Sequence, residues 1–266
     1  MHISHKILSL TILIFFLHQP LLHANETKKD QDSVLALGME MSNMRNMLAA
    51  YILTGAKISY KRPHERLKNG IVHYENMLDT LTKDYPNDKV MQDSIQKSRD
   101  AWVNVKGAME LALKNTSLEK LKSGAIWIHG NIRTVIKEMA NMKAHLFKTS
   151  TIQNKDALNA SIEIAASAKR LSAHYMMDLW HLDDPTIEKH WEKGMKIYAD
   201  SILVLKNSPF IHNKKFASNL RSVIKYHRYF RKMWEKPKIY SILIDKKTDI
   251  VFHKAKEITE IILQSK

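Results

Sequence analysis

The stretch "MSNMRNMLAAYIL" (41–53) reads as a run of strong helix formers, with Arg45 among methionines and leucines. At helical spacing its packing stripe is Leu37, Met41, Arg45, Leu48 and Ile52. Farther along, "ASAKRLSAHYMMD" (166–178) repeats the layout with Ile162, Ala166, Arg170, Ala173 and Met177. Steps of three and four residues keep each set of side chains on one side of a helix. A guanidinium on the packing stripe is costly and seldom accidental. Two of them at matching steps point to a duplicated helical unit.

The rest of the chain extends that reading. Seven glycines and six prolines in 266 residues leave little for hairpins or strands. Breaks at "YKRPHE" (60–65), "DYPNDK" (84–89), "KNTSLEK" (114–120), "TSTIQNKD" (149–156), "LDDPTIE" (182–188), "KNSPFIHNKK" (206–215) and "EKPK" (235–238) separate segments with helical periodicity. Eight helices are predicted, over 32–59, 63–84, 88–114 and 118–149, then 156–182, 185–206, 214–235 and 238–265. Asp184 before Pro185 predicts a capped start for the sixth, and Ser117 a weaker start for the fourth. The second helices also align: "NGIVHYENMLDTL" (69–81) matches "KGMKIYADSILVL" (193–205) at Gly70 and Gly194, Tyr74 and Tyr198, Leu81 and Leu205. Further on, "IRTVIKEM" (132–139) parallels "DIVFHKAKEI" (249–258) more faintly. The predicted fold is all-α, with two tandem antiparallel four-helix bundles at 25–150 and 151–266.

Composition bears on compartment. Lys6 precedes the apolar run "ILSLTILIFFL" (7–17), and Ala24 suits a cleavage site, so 1–24 is expected to be a secretory signal peptide. The run falls short of the roughly 20 apolar residues that span a bilayer. No later segment is long and apolar enough to do so, so the mature chain is expected to carry no transmembrane segment. With no cysteine, disulfides and thiol chemistry are excluded. The expected location is the periplasm. Forty-two basic against 27 acidic residues give a net charge of +15, spread along the chain. A surplus of that kind suits small anions or anionic surfaces. Nucleic acid is not expected as a partner of an exported chain.

Arg45 and Arg170 have two readings. A buried guanidinium offers a fork of donors to a planar oxyanion, and adjacent first helices would let one chain supply both. Alternatively each stem packs and the head reaches water or an acid such as Glu163. His174 and His181 stand seven residues apart on the Arg170 side, and mature-chain histidines lack the one-turn spacing of a metal pair. No metal and no cofactor are expected, and neither a haem attachment motif nor a di-iron Glu-x-x-His pattern occurs. Met39, Met41, Met44 and Met47 fit a core stripe better than a copper site. In "KYHRYFRKMWEKPK" (225–238), Tyr226, Phe230 and Trp234 form one face, while Arg221, Lys225, Arg228 and Lys232 form the other, an ordinary amphipathic helix. Nothing has the layout of a nucleophile with its base, a phosphate loop or a carboxylate pair. A non-enzymatic protein is expected.

The first helices also resemble a family. "ASAKRLSAHYMMDLW" (166–180) is similar, without gaps, to the first helix of the PilJ-type N-terminal sensor domain of type IV pilus methyl-accepting chemotaxis transducers. Ala166, Arg170, Met176 and the aromatic Trp180 are kept, with Lys169 for glutamine. "MSNMRNMLAAYIL" keeps Arg45, and Ser42 and Ser167 stand where the family has glycine. Asn43, Ala50, Ala168 and Tyr175 replace the other consensus arginines. Related domains occur in nitrate-responsive sensor kinases, where an arginine of this helix binds the ion across a dimer. The resemblance implies two tandem sensor-type bundles that bind a small anion such as nitrate or a carboxylate. It implies Arg45, Arg170, Ser42, Ser167, Lys169 and His174 as ligand-binding residues, and a membrane-bound sensor kinase or chemotaxis transducer as partner. A structural or interaction protein of the envelope or pilus system, with no small ligand, is the second reading.

Overall fold

In a computed structural model the described residues are 4–114, 116–236 and 241–264, with side chains described from residue 26 onward. The expected signal segment 1–24 therefore lies outside the described side chains. Among the described residues eight helices occur: α1 (Ser4–Gly55), α2 (Pro63–Asp84), α3 (Lys89–Glu110), α4 (Leu118–Thr149), α5 (Lys155–Leu179), α6 (Ile187–Lys206), α7 (Lys214–Trp234) and α8 (Ser241–Gln264). Short 3-10 turns at Leu111–Leu113 and Pro209–His212 follow α3 and α6. The fold is all-α, and no strand occurs among the described residues. No helix among them is long and apolar enough to cross a membrane.

Helix ends follow local chemistry. The expected sixth helix opens two residues late, at Ile187 rather than Pro185. The Asp184 carboxylate accepts from Thr186 N and Thr186 Oγ1, at 2.9 and 2.7 Å, and so holds a turn instead of capping a helix. Both first helices end in the same way. Lys57 and His181 take left-handed backbone, with φ of 59° and 51°. The next residues donate back five positions, Ile58 N to Leu53 O and Leu182 N to Met177 O. This is a Schellman ending, usually built on glycine, and here a lysine and a histidine serve.

The two halves pack in the same pattern. α1 touches α2 and α4, and α3 touches α2 and α4; in the second half α5 touches α6 and α8, and α7 touches α6 and α8. Each half closes a ring of four helices. The rings meet along α1 and α5, which run in the same direction: Thr27 meets Thr151, Gly38 lies against Ile162, and Gly55 against Trp180. Quasi-equivalent side chains keep their jobs. Tyr74 and Tyr198 are fully buried and reach the third helix of their own half, at Ser98 Oγ (2.6 Å) and Val223 O (3.0 Å). One core runs through both rings and includes Met41, Met44 and Met47 as buried filler. Phe230 and Met233 face inward while Arg221, Lys225, Arg228 and Lys232 face solvent, as the amphipathic pattern of α7 requires.

The seam between α1 and α5 has two flanks. α4 and α6 border one, and α2 and α8 border the other.

Candidate functional site

On the α4–α6 flank a cavity of about 300 Å³ opens onto the seam. α1 lines it with Arg45, α5 with Arg170 and His174, α4 with His129, Arg133 and Lys137, and α6 with His190 and Lys193. Met41, Leu48, Ile132 and Ile136 give it apolar walls. No carboxylate lines it. The two arginines of the repeated stripe thus meet in one chain because the first helices are neighbours.

Their charges are poorly compensated. Arg45 is 7% exposed, and its Nη1 has only long bonds to two carbonyls, Met41 O at 3.4 Å and Ala166 O at 3.3 Å. Among the described residues neither arginine has a carboxylate within ion-pair distance. The buried Nη1 of Arg170 has no hydrogen-bond partner. Glu163, the acid expected beside Arg170, is instead bonded to Lys143 Nζ at 2.8 Å. Burial, and then the field of Arg170, disfavour the charge on Arg45, with Glu163 only partly opposing them. Burial does the same to Arg170. A guanidinium stays protonated regardless, so the penalty falls on the stability of the fold. An uncompensated buried charge costs several kcal/mol.

Three imidazoles form the floor. His129 Nδ1 lies 2.7 Å from Asp184 Oδ2, and His174 Nδ1 lies 2.7 Å from Arg170 O. Their Nε2 atoms face each other at 3.1 Å. His190 sits over both rings, and its Nε2 accepts from Arg133 Nη1 at 2.8 Å. Burial pushes all three imidazoles below the usual histidine range, His190 to about 4. For His129 the nearby Asp184 opposes that shift without reversing it. Burial raises the Asp184 carboxyl, but the bonds from Thr186 and His129 outweigh it, and Asp184 stays ionised to lower pH than usual.

Of the residues singled out in the sequence, Arg45, Arg170 and His174 come together in this cavity. Ser42 and Lys169 line a different one, about 230 Å³, on the α2–α8 flank. Ser42 Oγ donates to Gly38 O at 3.2 Å, and Lys169 pairs with Asp249. Ser167 is buried in α5 and does not line the arginine cavity. His181 is exposed in the turn after α5. His129, Arg133, Lys137, His190 and Lys193 escaped the sequence reading because they come from α4 and α6, whose packing partners sequence spacing does not reveal. A signal existed: His129, Arg133 and Lys137 stand four residues apart on one face.

The cavity can do one thing well. It presents unsaturated cationic donors to a small guest, with no carboxylate among its described lining residues. Comparison with protein-family models, with curated proteins and with solved structures found no match for this chain.

Proposed function

We propose that this protein is a non-enzymatic binder of a small oxyanion, held between Arg45 and Arg170 on the α4–α6 flank of the seam. The observation that carries the proposal is the partnerless, buried Nη1 of Arg170 in a cavity lined by cations and by no carboxylate. A guest such as nitrate or a carboxylate would take the fork of each guanidinium and offset the charge that the fold leaves uncompensated. The likeness of the first helices to PilJ-type sensor domains supports a sensing role. In that role the chain would be exported to the periplasm and would report occupancy to a membrane-bound sensor kinase or chemotaxis transducer.

Titration calorimetry and thermal unfolding of the purified chain against nitrate, acetate and dicarboxylates test this. Anion at a hundredfold excess over Kd stabilises by about 2.7 kcal/mol, a Tm rise of roughly 5–10 °C for a chain of this size. That rise should vanish in Arg170→Ala. A chain that responds to no anion, yet binds an envelope component, would be an interaction protein instead.

A further inference from the structure

The imidazole pair beneath the arginines lacks a proton that its geometry asks for. The carboxylate of Asp184 and the carbonyl of Arg170 can only accept, so Nδ1 of His129 and Nδ1 of His174 must each carry hydrogen. In the neutral rings both Nε2 atoms are then bare acceptors. They nevertheless face each other at 3.1 Å, within hydrogen-bond distance. Two lone pairs at that separation repel. One added proton turns the contact into an N–H···N bond between an imidazolium and an imidazole, already fixed in orientation at both outer nitrogens.

We propose that anion binding at the arginine cavity is coupled to uptake of one proton, shared between His129 Nε2 and His174 Nε2. This inference rests on the anion reading of the same cavity. In the anion-free protein burial and the cations of the cavity oppose the proton. Arg45 faces the pair from α1 and Arg170 from α5. Arg133 and Lys137 face it from α4, and His190 and Lys193 from α6. Among the described residues the acid bonded to the pair is Asp184, in the turn before α6, and it is already committed to Thr186 and to His129. An anion between the arginines cancels much of that field. The pair then gains proton affinity, and by linkage the proton raises anion affinity by the same factor. The site would therefore read acid and anion together.

The slope of log affinity against pH equals the number of protons taken up, so affinity can rise at most about tenfold per pH unit. Calorimetric titration with nitrate and with acetate, between pH 7.5 and 5 in buffers of different ionisation enthalpy, measures both. The expected result is tighter binding at lower pH with uptake approaching one proton per anion. In His174→Gln, binding should become flat with pH and uptake should disappear. Imidazole nitrogen-15 spectra of the unaltered protein cover the case of a variant that fails to fold. Nitrate added at pH 6 should shift the Nε2 signals of His129 and His174 toward the protonated range by a total of one proton between them, while without anion both rings should show hydrogen on Nδ1 alone. Anion binding with no pH dependence and no proton uptake overturns the coupling and leaves the anion site standing. No binding of nitrate, acetate or any other small anion overturns both. Proton release with capture of a zinc ion at the pair also overturns the coupling.

Discussion

On the α2–α8 flank of the seam, basic side chains meet aspartates of α8, whereas on the α4–α6 flank Arg45 and Arg170 meet each other. Arg66 bonds Asp245 at 2.8 Å and also Asn46, and Ser172 Oγ donates to the same carboxylate at 3.1 Å. Lys61 and Lys169 share Asp249. Among the described residues Arg66, Lys61 and Lys169 there are each paired with an aspartate, and the flank is a strut. The other flank has the same helices at its back and a similar supply of cations, but α4 brings His129 and Arg133 one turn apart where α8 brings Asp245 and Asp249. The proposed function sits where compensation is missing, because an incomplete charge set is one that a ligand can complete.

The strongest way to break that contrast is to remove an acid from the paired flank. Asp245 is wholly buried. Asp245→Ala strands Arg66, and losing one partner of a buried pair costs about 3–5 kcal/mol. Urea unfolding should place the loss near the lower figure, because Arg66 retains some access to water. The opposite sign is expected across the seam. Arg45→Met replaces an uncompensated cation with a flexible apolar chain of similar length. It should stabilise the anion-free protein by about 1–3 kcal/mol and abolish anion binding. A loss of stability in Arg45→Met would mean that the guanidinium is part of the scaffold.

Acid sharpens the same contrast. Burial depresses the pKa of His129, His174 and His190 in the fold. The unfolded chain therefore binds more protons below the usual histidine value of about 6.5. Their contribution to stability is present above that value and is lost as pH falls toward the folded values, about 4 for His190. Thermal unfolding of the anion-free protein should show Tm declining from pH 6.5 downward. Saturating nitrate should flatten that decline, since the anion restores proton affinity to the cavity. On the paired flank, burial raises the Asp249 carboxyl, yet Lys169 and Lys61 together hold it below its usual range. Its contribution is lost only at much lower pH, so the two flanks should weaken in separate acid windows.

Much of this architecture was legible in the chain. The four-residue steps around Arg45 and Arg170 marked a repeated helix, and the seven breaks placed the helix ends within about four residues, except that the first helix, expected from residue 32, begins at Ser4. The mismatch at α6 arose because Asp184 has two calls on its carboxylate, from Thr186 and from His129 55 positions away. Spacing could show only the local one. The arginine pair was legible for the same reason as the duplication, since equivalent residues on adjacent parallel helices must come close. Lys169 looked like part of that site because it is next to Arg170. Adjacent helical positions differ by about 100° in direction, and that rotation carries Lys169 to the opposite flank and to Asp249.

The smallest effect separates the flanks through a matched pair of glycines. Gly70 and Gly194 occupy equivalent places on α2 and α6, where each second helix approaches its first. A β-carbon on Gly70 would lie 2.6 Å from Met47 Cγ, and one on Gly194 would lie 3.0 Å from Arg170 Cδ. Met47 is fully enclosed, so Gly70→Ala must displace core atoms. Overpacking of that kind costs about 1–3 kcal/mol, which exceeds the roughly 1 kcal/mol of helix propensity that alanine adds. Arg170 is only partly buried and its stem can move. Gly194→Ala should therefore be close to neutral in stability, within about 1 kcal/mol. Its effect should appear in binding, because the shift carries the guanidinium off its place opposite Arg45. Nitrate affinity lowered by several-fold at unchanged Tm would locate Arg170 in the site and Met47 in the scaffold. A Gly194→Ala protein that binds as the original does would show that the position of the Arg170 fork does not matter.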